Sequence, residues 1–160
     1  MTPIGQASAI AVIVLGTGAA TVTVLNDDIP DLNIPDGPWT PGTGLDGRIF
    51  RTTDRVHQTG EVLTDELHFR HGRFQSAMCQ EYCDFGWTEY QTWTEGETVH
   101  FTVTTTCPDA PHTVAWYGTV TGDQIDFEGS WATRRWYWTR QINVSGTGSL
   151  TPVDAPAASG

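Results

Sequence analysis

The chain has 160 residues and a formal net charge of −11, and all of its basic residues are arginine. Because no basic stripe is available to neutralise phosphates, binding to nucleic acid or to an anionic membrane surface is not expected. The length suggests one domain with a short extension at each end.

The first feature in the chain is an uncharged segment, residues 7–25, that contains no proline. As a helix it measures about 28 Å, close to the thickness of the apolar part of a bilayer. A cleaved secretory signal normally begins with basic residues, and a lipoprotein signal needs a cysteine directly after the apolar run, whereas the first cysteine is Cys79. We therefore predict a single-pass membrane helix within residues 1–25; a cleaved signal and a buried segment of a soluble domain are the alternatives.

Residues 26–46 are rich in proline and glycine and are predicted to be a linker. Pro-rich segments are extended and semi-rigid, so this one would hold a following domain away from the membrane. Aspartates follow the apolar segment closely, and an acidic flank is exported more easily than a basic one. We expect an inner-membrane protein whose C-terminal part lies in the periplasm or on the extracellular side.

Residues 47–150 show the alternation of apolar and polar residues that is typical of β-strands. The clearest example is a hairpin from Trp116 to Trp131, with its turn at Gly122-Asp123. Eight antiparallel strands remove their exposed edges best by closing into an up-and-down barrel, and a two-sheet β-sandwich is the alternative. Residues 151–160 are predicted to be a flexible tail. The predicted strands cover residues 47–53, 61–69, 73–78, 87–93, 98–106, 114–120, 125–131 and 136–144.

Three cysteines, Cys79, Cys83 and Cys107, lie in this region. Exported proteins fold in oxidising compartments, so two of the three are expected to form a disulfide and leave one free. Cys79 with Cys83 would close a small loop, and Cys107 lies in a turn that can approach either, so the pairing stays open. A metal site needs more ligands at closer spacing than one C-x-x-x-C provides, and no metal is expected.

The hairpin pattern W-x-G-x-V-x-G-D-x-I…G-x-W, from Trp116 to Trp131, resembles small lipocalin-like domains of bacterial exported proteins. Gly37-Pro38-Trp39 is also similar to the G-x-W motif near the start of lipocalins. The resemblance covers roughly the last two thirds of the chain. It implies a barrel in which Arg140, on the last strand, packs over Trp39, and it implies no particular reaction.

The candidate contact residues are four tryptophans and one arginine that alternation places on inward faces: Trp116, Trp131, Trp136, Trp138 and Arg140. The tryptophans either fill the core, since about eight strands leave little interior room, or line a cavity for an apolar or aromatic ligand. A buried arginine must be paired, so Arg140 is expected to pair with Asp65 or Glu89, or with a ligand carboxylate.

No spacing of nucleophile and base, of paired carboxylates or of metal-binding histidines indicates catalysis, so no catalytic residue and no cofactor are predicted. The leading hypothesis is a non-catalytic, membrane-anchored accessory subunit whose β-domain docks on a membrane protein complex. The alternative is a lipocalin-like carrier of a small apolar ligand. An open interior at Trp116, Trp131 and Arg140 would favour the carrier, whereas a filled interior with an outer aromatic patch would favour docking.

Overall fold

A computed structural model describes residues 32–135 and 138–152. In this part of the chain, ten strands form one antiparallel sheet that curls into a nearly closed barrel, with one short helix, α1 (Ala77–Tyr82). The strands are β1 (Thr40–Pro41), β2 (Ile49–Val56), β3 (Val62–Arg70), β4 (Arg73–Ser76), β5 (Thr88–Glu89), β6 (Gln91–Glu95), β7 (Thr98–Thr106), β8 (His112–Thr121), β9 (Gln124–Arg135) and β10 (Trp138–Leu150).

The predicted membrane segment, residues 7–25, lies outside the described residues, as do residues 26–31 of the predicted linker and residues 153–160 of the predicted tail. Among the residues that are described, none belongs to a helix that is long and apolar enough to cross a membrane.

Apart from β1, which pairs with β6, the strands follow one another around the barrel in chain order. β2 to β5 pair in succession, β6 to β10 pair in succession, and β10 then pairs with β2 over Val144–Leu150 and Phe50–Val56. Only Tyr90 separates β5 from β6, so this stretch of chain contacts β4 at its beginning and β7 along the rest. The prediction of an antiparallel barrel is confirmed, and the two-sheet sandwich is wrong because the strands form a single sheet.

Alternation along the strands determines which side chains enter the barrel. A period of two places successive residues on opposite faces, so a strand that lines a barrel has one buried set and one solvated set. In β2 the buried set is Phe50, Thr52, Asp54 and Val56, and the residues between them are exposed. Phe69 on β3 is the centre of the aromatic core, and its ring centroid lies 5.0–6.1 Å from those of Phe50, Phe74, Tyr90 and Phe101.

Helix α1 replaces the end of the strand predicted at residues 73–78 and part of the irregular segment after it. Its first turn is held by side chains. Ser76 accepts a hydrogen bond from the backbone N–H of Cys79 at 3.1 Å, and Asp65 accepts one from that of Met78 at 2.9 Å. Asp65 belongs to another strand, so no local pattern signals this helix. The last strand is also longer than predicted, since β10 ends at Leu150.

Residues 32–46, which we call the strap, lie against the barrel. Trp39 and Leu45 are buried, and β1, which is part of the strap, pairs with β6. Trp39 packs edge-on against Trp93 and Tyr117, with ring centroids 6.2 and 6.3 Å apart. The sequence predicts a linker up to residue 46, whereas the second half of the strap belongs to the folded domain, because its two large apolar side chains are more stable inside the protein than in water.

Candidate functional site

The two ends of the barrel differ in how well they are sealed. At the end that carries the turns His71–Gly72 and Gly122–Asp123, which we call the closed end, core side chains are 0–1% exposed: Leu45, Phe50, Phe101, Val120 and Ile125. At the opposite end, called the open end, which carries α1 and the turn Cys107–Pro111, four apolar residues in inward register stay partly exposed: Leu63, Trp131, Ile142 and Val144. Solvent therefore reaches the inner wall of the barrel from the open end.

Asp54 lies below this opening on β2. Its side chain is 0% exposed, and among the described residues neither carboxylate oxygen has a hydrogen-bond partner other than the neighbouring Thr52 hydroxyl. It lies opposite Gly146 of β10, where a Cβ atom would come within 2.6 Å of Asp54 Oδ1, so the glycine makes room for the carboxylate. Burial raises the pKa of Asp54 to about 6; the Thr52 side chain opposes this rise, and the nearby Asp65 carboxylate adds to it.

Asp65 is also buried, but its carboxylate is hydrogen-bonded to groups of the protein. It accepts hydrogen bonds from the Ser76 hydroxyl at 2.5 Å and from the backbone N–H groups of Glu66 and Met78 at 2.7 and 2.9 Å. Burial raises the pKa of Asp65, and these hydrogen bonds oppose the rise. Asp65 therefore holds the start of α1, whereas the described residues offer the neighbouring Asp54 only the Thr52 hydroxyl.

The Trp116 indole Nε1, on a side chain that is 3% exposed, also lacks a partner among the described residues. Trp116 lies on β8, and its ring centroid is 5.3 Å from that of Phe74 and also 5.3 Å from that of Phe127. Buried polar groups in proteins are nearly always hydrogen-bonded, to protein, to water or to a ligand. Asp54 and Trp116 therefore leave hydrogen-bonding capacity in the interior that water or a ligand can use.

An aromatic cluster borders the open end. Trp131 packs edge-on against Tyr82 and Phe85, with ring centroids 5.0 and 5.5 Å away, and its Nε1 donates to His112 Nδ1 at 3.4 Å. Burial and the charge of Arg135 lower the pKa of His112, so this ring is neutral at pH 7. The rim of the opening is thus aromatic and uncharged at these positions.

The disulfide joins Cys83 and Cys107, whose Cα atoms are 6.0 Å apart. It ties the chain directly after α1 to the end of β7 and so holds the helix at the open end. Cys79 is the free cysteine; it is buried, and burial raises the pKa of its thiol to about 12. Of the pairings that the sequence left open, the structure therefore excludes those that involve Cys79.

The predicted contact residues are divided between the interior, the rim and the outside. Trp116 lies in the interior and Trp131 at the rim. Arg140 is exposed and forms no ion pair with Asp65 or Glu89, so the internal pairing predicted for it is wrong. Trp39, which was expected to contact Arg140, contacts two other aromatic rings. Two of the predicted contact residues fall outside what the structure describes. Trp136 is not described at all, and Trp138 is described only in its backbone, which begins β10.

Asp54 and Thr52 are functional candidates that were not predicted from the sequence. The signal was present in β2, where IFRTTDRV alternates so that these two polar residues share a face with Phe50 and Val56. A carboxylate at an inward position of an otherwise apolar face is unusual enough to indicate a specific role.

A concave surface, which we call the outer groove, lies between the strap and strands β5 to β7. This groove has a volume of about 860 Å³. Its lining is mainly apolar and includes Ile34, Trp39 and Val103, with Asp36 and Glu89 as acidic members.

Within the described residues, no group of three or more histidine, cysteine or acidic side chains is arranged to hold a metal ion. No protein-family model, curated protein or solved structure matches this chain.

Proposed function

We propose that this protein is a non-catalytic binding protein whose lipocalin-like barrel holds one small, largely apolar ligand that enters through the open end. The observation that supports this most directly is the partly exposed inner wall above a set of unpartnered buried polar groups. Small-molecule sites in proteins are mostly apolar, with a few polar groups that orient the ligand. Here Leu63, Ile142 and Val144 supply apolar wall, and Asp54 and Trp116 supply the orienting groups.

The location proposed for this protein follows from the cysteines and from the N-terminal segment. A disulfide between Cys83 and Cys107 is typical of an oxidising compartment such as the periplasm or the extracellular space. Residues 7–25 would anchor the barrel to the membrane that borders this compartment, and the strap would lead from the anchor to the barrel.

The ligand-binding proposal is tested with Nile red, a neutral apolar dye whose fluorescence rises in an apolar site. We expect saturable binding of one dye molecule per chain. The Val144→Trp variant places a bulky side chain on the inner wall of β10 and should abolish binding. Thr147→Trp, on the exposed face of the same strand, is the matched control and should bind as the wild type does. Binding that does not saturate, or that is indifferent to Val144→Trp, would contradict the proposal.

The accessory-subunit hypothesis is the second candidate function, and the outer groove favours it. Beside the groove, Trp93 stacks on His100 with ring centroids 3.9 Å apart, next to Trp39 and Tyr117, so an aromatic surface adjoins an apolar cleft. Such a surface suits a segment of a partner protein.

A photo-crosslinking residue at Gln91, which lines the groove, tests the docking function in native membranes. We expect it to capture one membrane protein in fixed ratio. The same residue placed at Glu128, exposed on β9, should capture none. Equal capture at both positions would contradict docking in the groove.

A further inference from the structure

Among the described residues, the carboxylate of Asp54 has no positive charge beside it. The chain contains no lysine, no ion pair of the described residues includes Asp54, and the side chain that favours its charged form is the uncharged Thr52 hydroxyl. Arg51, which precedes Thr52 on the same strand, points outward and pairs with Glu66 at 3.2 Å. An isolated buried carboxylate is unfavourable. It either takes up a proton, which the raised pKa of Asp54 favours, or is compensated by a cation, which would come from outside this part of the chain.

Asp65 makes the surroundings of Asp54 still more negative. Its three hydrogen-bond donors are two backbone N–H groups and one hydroxyl, none of which carries a charge. The two carboxylates interact with each other, since the charge of Asp65 disfavours ionisation of Asp54. An anionic ligand would be repelled here and a neutral one would leave the charge of Asp54 uncompensated, whereas a cation would be attracted by both carboxylates and could donate a hydrogen bond to Asp54.

Aromatic rings lie next to the carboxylate. A Cβ atom on Gly146 would touch both Asp54 and the edge of the Phe127 ring, which shows that these two side chains meet over the glycine. The Phe127 ring in turn packs on Trp116, with centroids 5.3 Å apart. Aromatic faces attract cations, and tryptophan does so most strongly. A carboxylate combined with aromatic rings is a chemistry that suits an ammonium group attached to an apolar body.

We infer that the ligand of this barrel is an amine, protonated at neutral pH, whose ammonium group donates to the Asp54 carboxylate while its apolar part lies against the inner wall of the open end. This inference rests on the proposed ligand-binding function and adds the chemical class of the ligand. The unpartnered Trp116 Nε1 is a donor, so a ligand that also carries an acceptor oxygen would satisfy it.

The experiment compares three probes of one shape and different charge: phenethylamine, phenethyl alcohol and phenylacetate. Binding to the full-length protein is measured by calorimetry at pH 7.5. We expect the amine to bind most tightly and phenylacetate least. Asp54→Asn should weaken binding of the amine by about ten- to a hundredfold, the range for a hydrogen bond to a charged group, and should weaken binding of the alcohol, which carries no charge, clearly less. Asp126→Asn, which removes an exposed carboxylate on β9, is the control and should change neither.

The outcomes separate this inference from the proposed function. If the amine binds no better than the alcohol, or if Asp54→Asn does not weaken it, the amine inference is overturned, while retained binding of Nile red keeps the carrier function. If neither the amine nor Nile red binds, both are overturned. Circular dichroism checks the fold of Asp54→Asn, and Asp54→Ser, which also removes the charge, provides a second variant for the same comparison.

Discussion

At the scale of single residues, Asp54 and Asp65 show how partners decide the role of a buried acid. Both are nearly inaccessible, and burial raises the pKa of both. Asp65 is stabilised by three hydrogen bonds and starts a helix, whereas the described residues offer Asp54 only the Thr52 hydroxyl. The pKa of Asp54 is about 6 in the folded protein and 3.8 as its ordinary value, so the folded state binds the proton more tightly. The stability contributed by this group is therefore lost as pH rises from about 4 to above 6.

Asp54→Asn is expected to stabilise the ligand-free protein at pH 8. The gain in the free energy of unfolding is at most about 3 kcal/mol, because the pKa shift is about two units and each unit corresponds to about 1.4 kcal/mol. At pH 4 the variant and the wild type should differ much less, since the carboxyl group is then protonated in the folded state. Urea denaturation at the two pH values measures the difference, with Asp126→Asn as the exposed control. A variant that is destabilised equally at both pH values would show that Asp54 has a structural partner.

At the scale of elements, α1 depends on contacts from outside the helix. Six residues are too few for a stable isolated helix. The helix is held at its beginning by Ser76 and Asp65 and directly after its end by the disulfide between Cys83 and Cys107. Because the helix lies at the open end, the disulfide also maintains the rim of the proposed ligand site.

Replacing Cys83 and Cys107 by serine is expected to lower the free energy of unfolding by about 3 kcal/mol, the value for a loop of this length. The two cysteines are 24 residues apart. Guanidinium denaturation with and without dithiothreitol measures the effect, and reductant should destabilise the wild type but not the double variant.

Cys79→Ala is the control for this pairing. It removes the free cysteine and should keep the sensitivity to reductant. If Cys79→Ala loses that sensitivity, the disulfide involves Cys79 and the assignment is wrong.

At the scale of the whole molecule, the folded domain begins within the strap. Trp39 is 4% exposed and packs on the outer face of the barrel, where it contacts Trp93 and Tyr117. Leu45 is fully buried, and the Tyr90 hydroxyl donates to Asp46 at 2.8 Å. The strap is therefore part of the folded domain, and it forms one wall of the outer groove.

Trp39→Ala is expected to destabilise the protein by about 3–5 kcal/mol, the usual cost of removing a buried tryptophan. Trp87→Ala removes the same type of side chain from a site that is 38% exposed, and its cost should be below about 1 kcal/mol. Thermal unfolding of the two variants makes the comparison. Similar costs would indicate that the strap is not part of the folded unit.

The sequence by itself determined the class of fold and its clearest hairpin, because both depend on the pattern of residues that are neighbours in the chain. Alternation with period two identifies a strand whatever lies next to it, and the turn residue Gly122, with φ of 59°, lies where β8 meets β9 in the observed pairing. Trp116 and Trp131 were placed on the correct face of these strands for the same reason.

Only the tertiary structure decided the features that depend on distant residues. Pairing of β10 with β2 closes the barrel, and the cysteine pairing and the helix start at Asp65 also join separate parts of the chain. Alternation predicted which face of β10 carries Arg140, but not how far along the barrel that residue lies. At that position β10 extends past the rim of the barrel, so the side chain is exposed. Whether a buried carboxylate finds hydrogen-bond or charge partners depends on every element packed around it. The lack of such partners at Asp54 could therefore be recognised only in the folded protein.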